Sequence, residues 1–252
     1  METFWPLNGF SDPAETAGLY DAIAHRESCR SFSEVPSAAQ WEALTASANT
    51  WALPGMRMVL GSCENDLFQP FFGLLMKFEN VQRFATIIVR DDQPESLVNA
   101  GISGETFMLY ATSLGLGGCW VAGTYKHGKV NLPLEKGEHI CALIALGVPK
   151  APPALPIRRK RKPLGEICSP RFSNAPSIFV DAAKAIQAAP SAVNLQPCRL
   201  DFEPEKTLIL SVKSPRQRLD FGISICHAVF ALKSTPVQYI LSQDGRTARL
   251  TL

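Results

Sequence analysis

Apolar stretches alternate with polar breaks along the chain, and the period of the apolar positions predicts its elements. Over Thr16–Arg26, Leu19, Ala22 and Ile23 share one helical face. A second helix is predicted over Ala38–Ala48, before Pro54 and Gly55 break the chain. Met56–Leu60 and Phe84–Val89 read as strands, the latter for its β-branched run. Gly101–Leu114 is a helix apolar nearly all round, which predicts a central, buried position. The glycines after it read as a tight turn that lets backbone approach a neighbour closely. Ile140–Gly147 is a buried strand. Farther on, helices are predicted over Phe179–Ala188 and Phe221–Leu232, and strands over Leu200–Phe202 and Leu208–Val212. Pro190 ends the first of these helices.

The two halves of the chain echo each other. Phe32-Ser33-Glu34-Val35-Pro36-Ser37 matches Phe172-Ser173-Asn174-Ala175-Pro176-Ser177, and a helix follows each. A proline-bearing loop comes next in both, at Leu53-Pro54-Gly55 and Gln196-Pro197-Cys198. Gly101-Ile102-Ser103 and Gly222-Ile223-Ser224 then mark two apolar helices. Three matches in the same order predict a duplicated chain, a pseudo-dimer whose halves share one core. The alternative is coincidence of common turn chemistry.

Composition narrows the function classes. At 252 residues, with 46% hydrophobic and 19% charged residues, the chain can bury a full core. A net charge of +2 gives no electrostatic case for a nucleic-acid or membrane-surface partner. Neither a membrane span nor a signal peptide is expected. The seven cysteines are odd in number and widely spaced, and none forms CxxC, which points to a reducing, cytoplasmic setting without disulfides. The four histidines lack metal-ligand spacing, so no metal site is expected. The stretch 150–163 combines prolines with the basic run Arg158-Arg159-Lys160-Arg161-Lys162. It reads as a solvated linker, because no aromatic residue interleaves the charges.

Three segments carry candidate chemistry. Arg26, Ser28 and Arg30 alternate just past the first helix, and two guanidiniums flanking a hydroxyl suit an anion. Residues 189–197 form a polar loop in which Ser191, Asn194 and Gln196 stand between Pro190 and Pro197. Their amides offer donors and acceptors to a heterocycle, or else satisfy their own backbone. Gly117, Gly118, Ala122 and Gly123 follow the central helix, where backbone N–H groups can face a ligand. These glycines follow a helix and not a strand, so a Rossmann reading is rejected.

Together these segments resemble the FMN-dependent nitroreductase family. Arg26-x-Ser28-x-Arg30-x-Phe32 looks like its N-terminal signature, and residues 190–197, PSAVNLQP, like its second. Residues 104–123 resemble its central helix and glycine turn. Ala145-Leu146-Gly147-Val148-Pro149 resembles its late strand, and Lys162–Ile167 the segment after it. The second signature lies far downstream of the first, which is similar to the branch with two fused half-subunits. The implied fold is α+β, a duplicated single-chain pseudo-dimer with central helices and antiparallel sheets. Residues 1–149 would form the first half, 150–163 the linker and 164–252 a shorter second half.

The resemblance implies one FMN site with residues from both halves. Arg26 and Ser28 would hold the phosphate and ribityl chain, and Arg30 the pyrimidine edge. Pro190, Ser191 and Asn194 would approach from the other half, with Gln196 in support. Ala122 or Gly123 would present a backbone N–H to the flavin, with Gly117 and Gly118 lining the approach. Arg216 and Arg218 are candidates for the basic residue that relatives place near their C-terminus. No catalytic side chain is required, because the cofactor carries the redox chemistry. The implied activity is ping-pong transfer of hydride from NAD(P)H through FMN to a nitroaromatic, quinone or similar small-molecule acceptor. A flavin-sequestering protein without turnover is the alternative. A monomer is expected, since the fused pair supplies both walls, with a homodimer as the alternative.

Overall fold

A computed structural model describes residues 3–4, 13–64, 67–68, 77–90, 93, 95–151, 160–204, 206–232 and 237–252. Its elements run β1 (Thr3–Phe4), α1 (Pro13–His25), β2 (Phe32–Glu34), α2 (Ala38–Thr50), β3 (Met56–Ser62) and β4 (Arg83–Arg90). Next come α3 (Ser96–Ser113), β5 (Gly117–Val121) and β6 (Glu138–Pro149). The remainder is α4 (Leu164–Ile167), α5 (Ser177–Ala188), β7 (Arg199–Glu203), β8 (Thr207–Ser211), α6 (Arg218–Ala231), β9 (Gln238–Leu241) and β10 (Thr247–Thr251).

Two antiparallel sheets repeat one pairing scheme. In the first, β6 pairs with β5 and β4, and β4 with β3. In the second, β10 pairs with β9 and β8, and β8 with β7. Each sheet takes one extra strand, β2 against β6 and β1 against β9. The element order helix, two strands, central helix, two strands holds for α2 to β6 and again for α5 to β10.

The sheets flank the paired helices α3 and α6. One core joins α1, α3, α5 and α6 to the second sheet, through Ile102, Phe179, Phe221 and Leu210. Another joins α2 and α3 to the first sheet, through Leu44, Phe107, Met58 and Ile87. The two central helices touch at glycine. A Cβ on Gly101 would lie 2.2 Å from the Leu219 carbonyl oxygen, and one on Gly222 would lie 2.0 Å from the Val98 carbonyl oxygen. The predicted burial of Gly101–Leu114 is therefore explained by a helix enclosed by a second helix and a sheet.

Five of the strands escape the sequence pattern: β1, β2, β5, β9 and β10. The most consequential is β5. Gly117 and Gly118 open this strand and do not form a turn; of Gly115, Gly117 and Gly118, Gly115 alone has positive φ, at 79°. Their small size serves packing. A Cβ on Gly117 would meet Cys29 at 2.7 Å, and one on Gly118 would meet the Met108 sulfur at 2.5 Å. All seven cysteines are free. Among the described residues, no helix is long and apolar enough to cross a membrane.

Candidate functional site

A cavity of about 760 Å³ opens where six chain segments converge, one of them contributing only Phe78. The turn after α1 supplies Arg26, Glu27, Ser28 and Arg30, and the end of β5 supplies Trp120 to Thr124. From beyond residue 149 come Lys160 and Arg161, the loop Pro190 to Asn194, and Leu219, Asp220 and Ile223 of α6. The volume lies within the range of sites that enclose a cofactor-sized molecule.

Arg26 stands at the floor, only 2% exposed. Its Nε lies 3.5 Å from Glu105 Oε1 without forming a hydrogen bond, and Nη1 is likewise buried with no hydrogen-bond partner. Glu105, on α3, is wholly buried. Trp120 Nε1 donates to its Oε2 at 2.8 Å, and His227 Nε2 of α6 meets its Oε1 at 2.9 Å. Burial pushes the Glu105 carboxyl up, but Arg26, His227 and Trp120 outweigh it and hold the group below its usual range. Glu105 thus positions two cavity walls, the Arg26 guanidinium and the Trp120 indole. Arg30 adds a second guanidinium, with Nη1 on the Ser28 carbonyl at 3.4 Å and Nε buried without a partner.

The opposite wall is a strained loop. Val193, Asn194 and Gln196 have φ of 42°, 58° and 46°, a region that non-glycine residues rarely enter. Ser191 Oγ accepts from the Gln196 N–H at 2.9 Å, and Asp220 Oδ1 accepts from the Ala192 N–H at 3.0 Å. Burial raises the Asp220 carboxyl to about 6, against the lowering effect of that one hydrogen bond.

The family described as "Putative TM nitroreductase" matches residues 18–232. The chain belongs to this nitroreductase family. Its fold is similar to the crystal structure of a "putative nitroreductase" from Thermotoga maritima, with a TM-score of 0.68 and 20% identity over 93% of each chain. A nitroreductase family protein from Clostridium difficile 630 aligns over 60% of this chain and 96% of its own, with 18% identity and a TM-score of 0.47. An FMN-dependent nitroreductase from Clostridium difficile R20291 aligns over 57% of this chain and 96% of its own, with 16% identity and a TM-score of 0.45. No curated protein matches the sequence. In general terms, nitroreductase membership supports an oxidoreductase.

Of the nitroreductase residues expected from sequence, the cavity gathers Arg26, Ser28, Arg30, Ala122, Gly123, Pro190, Ser191 and Asn194. Gly117 and Gly118 lie off the cavity in β5. Gln196 also lies outside it, against a small void behind the loop. Its Oε1 accepts from the Lys162 N–H at 2.9 Å, so it braces the wall. Neither Arg216 nor Arg218 lines the cavity; the Arg218 guanidinium donates to the Asp244 carbonyl.

The basic run corrects the solvated-linker reading. Arg158 and Arg159 lie outside the described residues, but Lys160 and Arg161 line the cavity and Lys162 is tied to Leu195 and Gln196. Asp220 and Trp120 also escaped the sequence reading. An acid in the first turn of an otherwise apolar helix was the available signal for Asp220. Trp120 had none, because β5 was not read as a strand. Among the described residues, no cluster of His, Cys, Asp and Glu could hold a metal ion.

Proposed function

We propose that the protein is an FMN-dependent oxidoreductase whose cofactor lies in the cavity bounded by Arg26 and Asn194. The observation that carries this reading is chemical. Arg26 Nε and Nη1, Arg30 Nε and Arg161 Nε are buried without hydrogen-bond partners, and all three side chains line one cavity. Buried donors left unmet are costly, and an oxyanion entering the cavity would satisfy them. A phosphorylated flavin fits this donor set, the apolar walls of Trp120, Val121, Leu219 and Ile223, and the volume.

In this reading Arg26 and Ser28 bind the phosphate end and Arg30 the pyrimidine edge, where positive charge favours an electron-rich ring. Ala122 and Gly123 offer backbone N–H groups from the rim. Ser191 and Asn194 close the opposite side. When bound, the flavin supplies the two-electron chemistry, with NAD(P)H as donor and a nitroaromatic, quinone or similar acceptor in ping-pong turnover. The protein binds, orients and shields.

We further infer an internal duplication, with halves at 1–149 and 164–252. The repeated strand pairing of the two sheets and the Gly101–Gly222 contact support it. Such a fusion puts both walls of the site on one chain, which favours a monomer. The free cysteines suit a cytoplasmic, reducing setting.

The test is the visible spectrum of the purified protein with FMN, then with NADPH under anaerobic conditions. The expected outcome is a bound flavin spectrum that bleaches on reduction. Binding without bleaching by NADPH or NADH would favour a flavin-sequestering protein, and no binding would overturn the assignment.

A further inference from the structure

Asp220 lines the cavity from the first turn of α6, flanked by the apolar Leu219 and Ile223, and is only 8% exposed. Its Oδ1 accepts from the Ala192 N–H of the strained loop at 3.0 Å. Among the described residues Oδ2 has no hydrogen-bond partner. A polar oxygen in so closed a place is left for whatever fills the cavity.

The facing helix shows that bracing a loop does not need an acid. Val98 and Leu219 hold matching places, since the carbonyl of each abuts the glycine of the other helix. The residues that follow them are Asn99 and Asp220, and each ties down the loop before a strand. Asn99 Nδ2 donates to the Pro54 carbonyl at 2.9 Å, ahead of β3, as Asp220 accepts from Ala192 ahead of β7. An amide at position 220 would accept from Ala192 equally well. A carboxyl adds a proton that can come and go beside apolar walls.

The surrounding charges leave that proton available. The lining also carries Arg26, Glu27, Arg30, Lys160 and Arg161, and Arg218 of α6 is turned to the Asp244 carbonyl. On the packed helices, Glu105 is engaged by His227 and Trp120, Asp181 pairs with Lys184, and Asp21 and His25 are exposed. None of these charges acts on Asp220; burial raises its carboxyl to about 6, against the single Ala192 bond. Both of its forms are therefore populated close to neutral pH, which suits an acid catalyst.

We infer that the Asp220 carboxyl hydrogen-bonds an oxygen of the electron acceptor and supplies the proton that completes its reduction. The inference rests on the functional reading above and adds an acid to a cavity whose redox chemistry is otherwise the cofactor's. With a quinone as acceptor, one oxygen takes a hydride from the reduced cofactor, which is thereby oxidised. The Asp220 O–H breaks and its proton goes to the other oxygen, giving the hydroquinone. The carboxylate regains a proton from solvent.

Duroquinone, whose ring is blocked to thiol addition, is the probe. Its dissociation constant for the oxidised, flavin-loaded full chain, where no turnover occurs, is measured from pH 5 to 8. Wild type is expected to bind it about tenfold more tightly at pH 5, and Asp220→Asn, whose amide still donates, without pH dependence. Stopped-flow reoxidation of the reduced protein by duroquinone at pH 5 is expected to slow about 100-fold in Asp220→Asn, although binding is kept. Wild-type binding that ignores pH, a pH dependence that survives in the variant, or reoxidation at the wild-type rate would each overturn the inference. So would equal weakening of binding at every pH, the mark of a purely structural role. If Asp220→Asn does not fold, infrared difference spectra of the wild type decide: the carboxyl C=O band present at pH 5 shifts when duroquinone binds, and an unmoved band overturns the inference. Should wild type hold no flavin, the functional reading fails separately, and duroquinone titration of the flavin-free wild type and variant is judged by the same binding criteria.

Discussion

Glu105 of α3 and His227 of α6 meet at 2.9 Å, both wholly buried, across the interface of the two central helices. His227 Nδ1 lies 2.9 Å from the Ala185 carbonyl, which can only accept. Each ring nitrogen of His227 thus faces an oxygen, one from each neighbouring element. The carboxylate then collects His227, Trp120 and the charge of Arg26, so the polar centre of the fold and the cavity floor are one structure.

Removing Glu105 strands Arg26 without its counter-charge. Glu105→Ala is expected to destabilise the protein by about 3 to 5 kcal/mol, as breaking a buried ion pair does. The depressed carboxyl adds a pH signature. Its contribution is complete above the unfolded value near 4.3 and is lost as pH falls through the lower folded value. Denaturant unfolding of wild type and variant between pH 3 and 7 checks both, and curves that stay parallel throughout would refute the second.

Asp220 carries the opposite sign. Its folded value is raised to about 6, so the folded state holds the extra proton between about 4 and 6. Stability therefore falls as pH rises through that window, by about 3 kcal/mol at most. Asp220→Asn keeps an acceptor for the Ala192 N–H and should abolish that fall. Urea midpoints from pH 4 to 7.5 are the measurement, and an equal slope in the variant would count against the assignment.

Gly101→Ala and Gly222→Ala should each destabilise by about 1 to 3 kcal/mol or more, because each new methyl meets the carbonyl of the facing helix. Backbone oxygens cannot swing aside as a side chain does, so α3 and α6 must separate. Thermal midpoints of the single variants test this, with Gly128→Ala, where open space surrounds the glycine, as control.

Val193, 63% exposed, spends backbone strain without burying its side chain. A β-branched residue at φ 42° is disfavoured, whereas asparagine tolerates that region. Val193→Asn should raise stability by about 1 kcal/mol. An unchanged or lower unfolding midpoint would show that the loop is not strained in solution.

Local pattern carried much of this architecture. Helices α1, α2, α3, α5 and α6 and strands β3, β4, β6, β7 and β8 were legible because each has a clear apolar period or a β-branched run. β5 was hidden by its two glycines, which serve packing against Cys29 and Met108 that no local window contains. β9 was hidden by its length of four residues, and β10 by polar residues at alternate positions. The arginine segment and the amide loop were recognisable as candidate binding elements, and both reach the cavity.

Their division of labour was not legible. Asn194 reads from sequence as a donor to a heterocycle, yet its carboxamide is occupied by Lys160 and Arg161. The basic run reads as a solvated strand of charge, yet Arg161 is drawn in beside Arg26. Residue order by itself determined the five longer helices, five of the strands, the absence of metal-ligand spacing and the two signatures, because periodicity and motif are short-range properties. Only the tertiary structure decided which polar groups are already satisfied and which remain open to a ligand. A hydrogen bond is settled by distance between atoms that the chain brings together from far apart.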